Sequence, residues 1–350
     1  MAGQLQKLND DEILSLISSI LPSLSEARLA LRDVVKFKVG SIVCQLRSGV
    51  TGIFGEYIAN AFLEVLDVEN ATFVLEVWQN ETFWNSPECE KARRMLPSQV
   101  SRKVGKFSKY RIAHHPYEEM IFLFDLDAKT ISVLIGPSAG RNLASYVTPF
   151  RIAIDWIAQE NGAIALHASA VAYNGFGLAL AGVSGSGKST LAVNSIINGL
   201  QILADDVVVA NEDQLFAVYK HAKILRDEAK KRFPKESYFE LPQDSQGKVI
   251  LDLSNYDSSF VHQAKFGIQI FPEIGSINRI EKIVSLKALT FMVRNSIREV
   301  LGGTDAALSI LALIAKKVPA YRQELSQNID LGIRDLLNLT KKLDEWPDLI

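Results

Sequence analysis

A glycine-rich run in the middle of the chain, residues 182–189, has the residue types and spacing of a phosphate-binding loop. It reads Gly-Val-Ser-Gly-Ser-Gly-Lys-Ser and fits the pattern GxxxxGK[ST]. Glycines let backbone N–H groups turn inward around phosphate oxygens, and the start of a following helix adds positive potential. The pattern predicts binding of a nucleoside triphosphate. The expected contacts are Gly182, Ser184, Gly185, Ser186, Gly187, Lys188, Ser189 and Thr190.

An acidic pair follows the loop and could complete a phosphoryl-transfer site. Lys188 is expected to reach the β- and γ-phosphates, and the Ser189 hydroxyl to ligate Mg²⁺. Asp205 and Asp206 come directly after the short apolar strand pattern of residues 201–203. One carboxylate could support the metal while the other orients or deprotonates a hydroxyl group. Adjacent strand residues point to opposite faces, so both can serve one site only if the strand ends or bends there. A solvated turn is the alternative.

A histidine precedes the loop in another apolar run. His167 lies within residues 163–172, which have the composition of a strand. A lone histidine in such a run is more often a buried structural residue than a functional one. The residues around it leave both interpretations open.

Taken together, these motifs resemble the catalytic domain of HPr kinase/phosphorylase and related proteins. Lys188 follows His167 by 21 positions, and Asp205 and Asp206 follow Lys188 by 17 and 18 positions, as in that family. The resemblance covers about residues 165–209. It implies an α/β fold with a P-loop kinase domain of the HPr kinase/PEP carboxykinase-like type. It also implies that the γ-phosphoryl group of ATP passes, with Mg²⁺, to a hydroxyl acceptor.

The resemblance also implies roles for individual residues. It makes Asp206 the general base, gives Asp205 to the metal, and places His167 near the transferring phosphate. In relatives found beside biosynthetic clusters, a stretch like residues 223–226 follows the acidic pair. Arg226 is therefore the candidate for neutralising the transferring phosphate. An ordinary surface ion pair is the alternative for this arginine.

The sequence departs from kinases of that family in and beside the loop. Val183 stands where they carry an aspartate, and Thr190 where they carry a glutamate. Their glycine-rich segment with a second metal-binding glutamate has no counterpart after Asp206. These departures weigh against HPr itself as the acceptor and against the reverse phosphorolysis. A peptide or protein serine and a small molecule both stay open as acceptors, as does the choice between ATP and GTP.

Two other functions are compatible with the loop. A P-loop ATPase or GTPase switch would couple hydrolysis to a conformational change, although the sequence contains no guanine-reading N/TKxD motif. A nucleotide-binding regulator without turnover is the second, since Val183 and the missing glutamate could mark lost catalysis. Acceptor-dependent ADP release distinguishes the kinase from both.

The elements around these motifs predict two domains. The 350 residues, 48% of them hydrophobic, are enough for at least two cores. A helical pattern over residues 10–35, broken near Pro22, and several β-type runs predict an N-terminal α+β domain over 1–160 that could select the acceptor. A helical pattern at 144–160 would close this domain. Residues 161–350 would form the catalytic domain.

Charge and cysteine content limit the expected partners and compartment. The formal net charge of −2 offers no general attraction for nucleic acid or an anionic membrane. Cys44 and Cys89 have no metal-ligand spacing, which favours a reducing cytoplasm. The chain has neither a secretion signal pattern nor a sufficiently long apolar run, so neither secretion nor a membrane span is expected. The family resemblance adds a homo-oligomer as an expectation.

Overall fold

The computed structural model describes residues 10–66, 70–96, 102–103, 109–139, 146–235, 238–240, 247–256, 258–297, 305–326 and 328–345. The chain divides into two compact units. Unit 1 consists of Met1–Lys38, Ile42–Asn60 and Glu64–Tyr146. Unit 2 consists of Val39–Ser41, Ala61–Leu63 and Val147–Ile350. Each unit combines helices with a mixed sheet, so the chain as a whole is a mixed α/β structure, as the sequence predicted.

The described part of unit 1 contains a seven-stranded mixed sheet with the strand order β1-β2-β3-β7-β6-β5-β4. Strand β3 pairs parallel to β2 and β7, whereas β4 to β7 pair antiparallel in sequence order. The helices are α1 Asp10–Arg28, α2 Gly52–Ala61, α3 Glu81–Trp84 and α4 Pro87–Met95. The strands are β1 Arg32–Val39, β2 Ile42–Ser48, β3 Phe73–Gln79, β4 Arg102–Lys103, β5 Tyr110–His115, β6 Met120–Asp125 and β7 Thr130–Ile135.

Helix α1 differs from its sequence prediction in two ways. It continues through Pro22 without a break, and it ends at Arg28 instead of near residue 35. Its apolar face is buried in one cluster with Trp78 and Trp84, and this packing outweighs the hydrogen bond that the proline cannot make. The residues after Arg28 form β1, whose β-branched side chains favour a strand.

The described part of unit 2 is built around a nine-stranded mixed sheet. Seven strands follow the order β11-β9-β10-β17-β13-β12-β8, and β19 pairs with β17 and β18. Strands β14, β16 and β15 form a separate small sheet. The helices are α5 Arg151–Gln159, α6 Lys188–Ser195, α7 Arg226–Arg232, α8 Ser285–Met292, α9 Asp305–Lys317 and α10 Ile329–Glu345. The strands are β8 Ile164–Leu166, β9 Ala168–Tyr173, β10 Phe176–Ala181, β11 Gln201–Ala204, β12 Val208–Ala210, β13 Gln214–Phe216, β14 His221–Leu225, β15 Tyr238–Phe239, β16 Lys248–Asp252, β17 Gln263–Ile274, β18 Arg279–Ile283 and β19 Ala320–Leu325.

Helix α5 belongs to unit 2, which begins near residue 147, whereas the sequence prediction set its domain boundary at 160/161. The side chain of Asp155 accepts a hydrogen bond from the backbone N–H of Ala165, just at the start of the unit 2 sheet. The helix is also shorter than the predicted 144–160, of which residues 144 and 145 lie outside the described residues. It begins only after Phe150, whose left-handed φ of 59° ends the preceding turn.

The sheet of unit 2 bends so that the two ends of its strand order meet. Strands β8 and β9 are joined by His167 alone, yet β8 pairs with β12 at one end and β9 with β11 near the other. Strands β11 and β12 also lie near opposite ends of the strand order, and the chain passes from one to the other through Asp205 and Asp206. Because successive Cα atoms are 3.80 Å apart, both ends must lie side by side there. We call this junction, formed by His167, Asp205 and Asp206, the seam.

None of the helices in the described part of the chain is long and apolar enough to cross a bilayer.

Candidate functional site

Strand register brings the three sequence motifs to one end of the unit 2 sheet. In the antiparallel pair of β9 and β10, Ala168 lies opposite Ala181, so His167 and the start of the glycine-rich loop share an edge. In the antiparallel pair of β9 and β11, Ala204 lies opposite Ala170, which places Asp205 at the same edge. The sequence predicted this strand, loop and helix order, and the bounds of β10 and α6 confirm it.

The loop between β10 and α6 has the backbone that its glycines allow. Gly185 and Gly187 adopt φ values of 81° and 96°, a region that disfavours residues with a side chain. A Cβ atom at Gly185 would meet no atom within 4 Å, whereas one at Gly187 would lie 3.0 Å from the Leu325 side chain. The loop is therefore open at its turn and tightly packed where the helix begins.

Two polar side chains of the loop, those of Lys188 and Ser186, are buried. The Lys188 ammonium donates hydrogen bonds to the carbonyl oxygens of Gly182 and Val183, at 2.6 Å and 3.2 Å. The hydroxyl of Ser186 is buried and has no hydrogen-bond partner among the described residues. A buried hydroxyl is costly unless it is hydrogen-bonded, so Ser186 fits a ligand oxygen at this place. The loop thus fits a phosphate chain.

The remaining loop residues lie where a bound phosphate chain could reach them. Val183 and Ser184 are exposed, and Ser189 and Thr190 are half-buried in the first turn of α6. The Thr190 carbonyl oxygen accepts a hydrogen bond from the Asn194 side chain within that helix. The contacts predicted for these residues stay predictions.

Asp205 is buried, and both of its carboxylate oxygens accept hydrogen bonds. Oδ1 accepts from the Ser169 hydroxyl at 2.6 Å, and Oδ2 from the backbone N–H of Lys223 at 2.9 Å. The side chain therefore ties β9 and β14 to the seam. A magnesium ion on Asp205 would have to share an oxygen with one of these donors.

Asp206 lies one residue further, where the backbone turns sharply. Its φ of 70° is in the left-handed region, which non-glycine residues rarely adopt. The strand ends at Ala204, so the two carboxylates are not held on opposite faces. This is the bend that the sequence required for both to serve one site.

Cationic and polar groups surround the Asp206 carboxylate. Oδ2 lies 2.9 Å from the Lys223 ammonium, 3.1 Å from the Thr148 hydroxyl and 3.7 Å from an Arg151 guanidinium nitrogen. Oδ1 lies 3.6 Å from Nε2 of His167. The four partners come from three segments of unit 2: Thr148 and Arg151 around the start of α5, His167 between β8 and β9, and Lys223 in β14.

The charges of these partners control the ionisation of Asp206. Burial alone raises the pKa of this carboxyl, but the positive charges of Lys223 and then Arg151 outweigh it, with His167 adding to them. The pKa of Asp206 is held well below its usual range. Asp206 is therefore an ionised carboxylate at neutral pH.

His167 marks the break between β8 and β9. Its backbone N–H donates to the Ser296 hydroxyl at 3.3 Å, within the π-helical turn Val293–Ile297 that follows α8. Single π-helical turns are rare and are frequent at functional sites. The continuous strand predicted for residues 163–172 is thus two strands, because the chain must cross the seam at His167.

Arg226 lies at the start of α7, where it has a different partner from the acidic pair. Its Nε atom is 3.2 Å from the Glu240 carboxylate, and both side chains are partly exposed. This geometry matches the surface ion pair that the sequence left as the alternative. The cations beside Asp206 are instead Lys223 and Arg151.

Sequence reasoning missed Lys223, Arg151 and Thr148 as members of the site. Lys223 had one available signal, because it stands alone among apolar neighbours in a strand-forming run. Arg151 and Thr148 had none, since only the three-dimensional fold brings them beside a residue more than fifty positions away.

A cation fits some parts of the site better than others. No group of three or more histidine, cysteine or acidic side chains within the described residues is arranged to hold a metal. The Ser189 hydroxyl beside the loop fits an ion that arrives with a triphosphate. Asp206 does not fit one, since an ammonium group already lies against its carboxylate.

Comparisons with known proteins give a limited result. No protein-family model matches the chain, and no curated protein sequence matches it. Among solved structures, it resembles the HPr(Ser) kinase/phosphatase from Coxiella burnetii, with 15% identity over 52% of this chain and 98% of that chain. The TM-score is 0.28, which is too low to support a conclusion about fold or activity. The structural likeness to this protein is weak, and it does not establish membership of a family.

Proposed function

We propose that unit 2 is an ATP-dependent kinase that transfers the γ-phosphoryl group to a hydroxyl acceptor. The observation that carries the proposal is the convergence of the glycine-rich loop with the acidic pair and His167 at one end of the sheet. A phosphate loop alone supports only nucleotide binding. An ionised carboxylate at the same edge adds a group that can orient an attacking hydroxyl.

The loop would hold the triphosphate. Backbone N–H groups of residues 182–187 and the start of α6 would surround the phosphate oxygens, and Lys188 would leave its loop carbonyl partners to contact them. Ser186 would gain the hydrogen-bond partner that its buried hydroxyl lacks within the described residues. Magnesium, which arrives with ATP and is held through Ser189, would neutralise charge on the phosphates.

Asp206 would act on the acceptor. As the hydroxyl oxygen bonds to the γ-phosphorus, the bond to the bridging oxygen breaks, ADP leaves, and the hydroxyl proton passes to Asp206. A carboxylate with a lowered pKa is a weak base, so its main contribution would be to orient the hydroxyl and accept the proton late. Asp205 would position the seam through Ser169 and Lys223.

The acceptor class extends from a peptide or protein serine to a small molecule. Unit 1 is the part of the chain proposed to select it. A reducing cytoplasm is the proposed compartment, with which the two buried free cysteines agree.

Acceptor-dependent ADP release tests the proposal. Purified protein would be incubated with ATP, Mg²⁺ and candidate acceptors, including products of neighbouring genes, and mass spectrometry would identify acceptors that gain one phosphoryl group. Asp206→Asn should slow transfer by about 10²–10⁴-fold and leave ATP binding largely intact, because it alters the proposed base and not the phosphate loop. Undiminished transfer by this variant would contradict its role. ATP binding without any acceptor-dependent ADP release would favour a nucleotide-binding regulator.

A further inference from the structure

Lys223 contacts both members of the acidic pair with two different groups. Its backbone N–H donates to Oδ2 of Asp205, and its ammonium lies against Oδ2 of Asp206, each at 2.9 Å. Strand β14 fixes its backbone, because Lys223 pairs with Ile250 in the middle of an antiparallel ladder. The side chain is only 16% exposed, so the ammonium sits within the protein. A buried lysine needs a counter-charge, and Asp206 supplies it.

Four side chains face the Asp206 carboxylate. Thr148 and Arg151 approach the same oxygen as Lys223, while His167 faces the other oxygen. A magnesium ion binds carboxylate oxygens at about 2.0–2.1 Å and keeps near-octahedral geometry. An ion at that distance from Oδ2 would be pressed against an ammonium group of like charge. The residues therefore disfavour a divalent cation at this carboxylate.

We propose that the Lys223 ammonium is a built-in counter-cation that fills the metal position beside Asp206. The acidic pair then binds no divalent ion in the absence of nucleotide, and the only ion used is the one that accompanies the triphosphate. Lys223 is thus a positioning residue that holds Asp206 ionised and oriented. The part concerning the triphosphate rests on the proposed function, whereas the part concerning the free protein does not.

The consequence is a fixed positive charge beside the Asp206 carboxylate. A lysine on a paired strand is present in every molecule and requires no binding equilibrium. It also leaves Asp206 in one orientation before any ligand arrives, which is the condition for electrostatic preorganisation.

Manganese binding to the full-length, nucleotide-free protein tests the inference. Bound Mn²⁺ would be measured by electron paramagnetic resonance for the wild type, Lys223→Gln, Lys223→Arg and the double variant Lys223→Gln/Asp206→Asn. Wild type and Lys223→Arg should bind no ion at the acidic pair. Lys223→Gln should raise Mn²⁺ affinity about tenfold or more, because it removes a unit charge next to the carboxylate. The double variant should lose that gain.

Two results with the nucleotide-free protein would overturn the inference. One is Mn²⁺ bound to the nucleotide-free wild type and lost in Asp206→Asn; the other is a folded Lys223→Gln variant that gains no affinity. If Lys223→Gln does not fold, the inference is tested by the number of Mn²⁺ ions that the wild type binds together with a non-hydrolysable ATP analogue. One ion supports the inference, and two contradict it. Because the first titration needs neither nucleotide nor turnover, its failure is distinguishable from failure of the kinase proposal.

Discussion

Each unit contains a buried carboxylate that lies between two cationic side chains, and the two clusters differ in how they are made. In unit 1, Glu76 lies 2.7 Å from Nε of Arg28 and 3.5 Å from Nη1 of Arg47, and it accepts a hydrogen bond from the Ser132 hydroxyl at 3.3 Å. In unit 2, Asp206 has Lys223 and Arg151 beside it. Burial and charge pairing alone therefore do not distinguish the structural cluster around Glu76 from the candidate site around Asp206.

The backbone separates them. Glu76 is in the middle of β3, and its register partners on the neighbouring strands are Arg47 and Ser132. The contacts of Glu76 are therefore mainly ordinary cross-strand pairs. Asp206 has a left-handed backbone, lies where a strand has ended, and shares an edge with a glycine-rich loop. A buried charge cluster becomes a candidate site where the ladder stops and a ligand can approach.

Among the substitutions that test nucleotide binding, the largest effect is expected from removing the charged side chain of the loop. Lys188→Ala should weaken nucleotide binding and lower turnover by roughly 10²–10³-fold, since it removes the one loop side chain that carries a full positive charge. Calorimetric titration with ATP and Mg²⁺, together with the ADP-release rate, measures both.

Arg47→Ala is the matched change in unit 1. Its guanidinium is 35% exposed and pairs with Asp33 and Glu76, so the expected loss is about 1 kcal/mol or less in the free energy of unfolding. Nucleotide affinity should not change. Equal loss of nucleotide binding in both variants would mean that Lys188 acts only through stability.

Glycine substitutions should have a smaller effect on nucleotide binding, and they test the same difference between the glycine-rich loop and the rest of the chain. Gly187→Ala forces a φ of 96° on a residue with a side chain and brings its Cβ to 3.0 Å from Leu325. We expect a loss of about 1–2 kcal/mol from the backbone and about tenfold weaker nucleotide binding.

Gly199→Ala is the control for backbone strain. Gly199 has a φ of 85° at the end of the helical segment, and its Cβ would meet no atom within 4 Å. Thermal unfolding should show a similar backbone penalty, whereas ATP titration should give the wild-type affinity. Weaker ATP binding in this variant would show that the effect at Gly187 is not local to the loop.

The sequence predicted the loop, the helix after it and the acidic pair because these features depend on local spacing. The sequence also indicated that Asp205 and Asp206 could share a site only if the strand ended or bent there. The strand does end at Ala204. The sequence did not predict the seam, because the crossing at His167 depends on pairing between strands that are distant in the chain. Arg226 was a candidate because of the family resemblance of residues 223–226, and its neighbour Glu240 could be recognised only from the fold.

The smallest predicted effect is a difference in how the units respond to acid. The pKa of His114 in unit 1 is lowered, first by burial, so the unfolded chain takes up a proton at a higher pH than the folded one does. The stability of unit 1 should therefore be full above about pH 6.5 and decline below it. The contribution of Asp206, whose pKa is lowered, should persist until the pH falls to about 4 and below.

Urea unfolding of the wild type and of His114→Gln measures the change in the free energy of unfolding between about pH 7.5 and about pH 5.5. These two values lie above and below the histidine pKa of the unfolded chain, which is about 6.5. The wild type should lose stability over the interval, and the variant should lose less. An equal loss in both proteins would show that His114 does not contribute to the pH dependence.

The most direct test of the account compares the two buried carboxylates in one assay. Acceptor-dependent ADP release would be measured for Asp206→Asn and Glu76→Gln under conditions where circular dichroism shows both proteins folded. We predict that Asp206→Asn is slower by about 10²–10⁴-fold, because it removes the carboxylate that orients the acceptor hydroxyl and accepts its proton, while Glu76→Gln retains the wild-type rate. Equal rates in the two variants would contradict a phosphotransfer site at the seam.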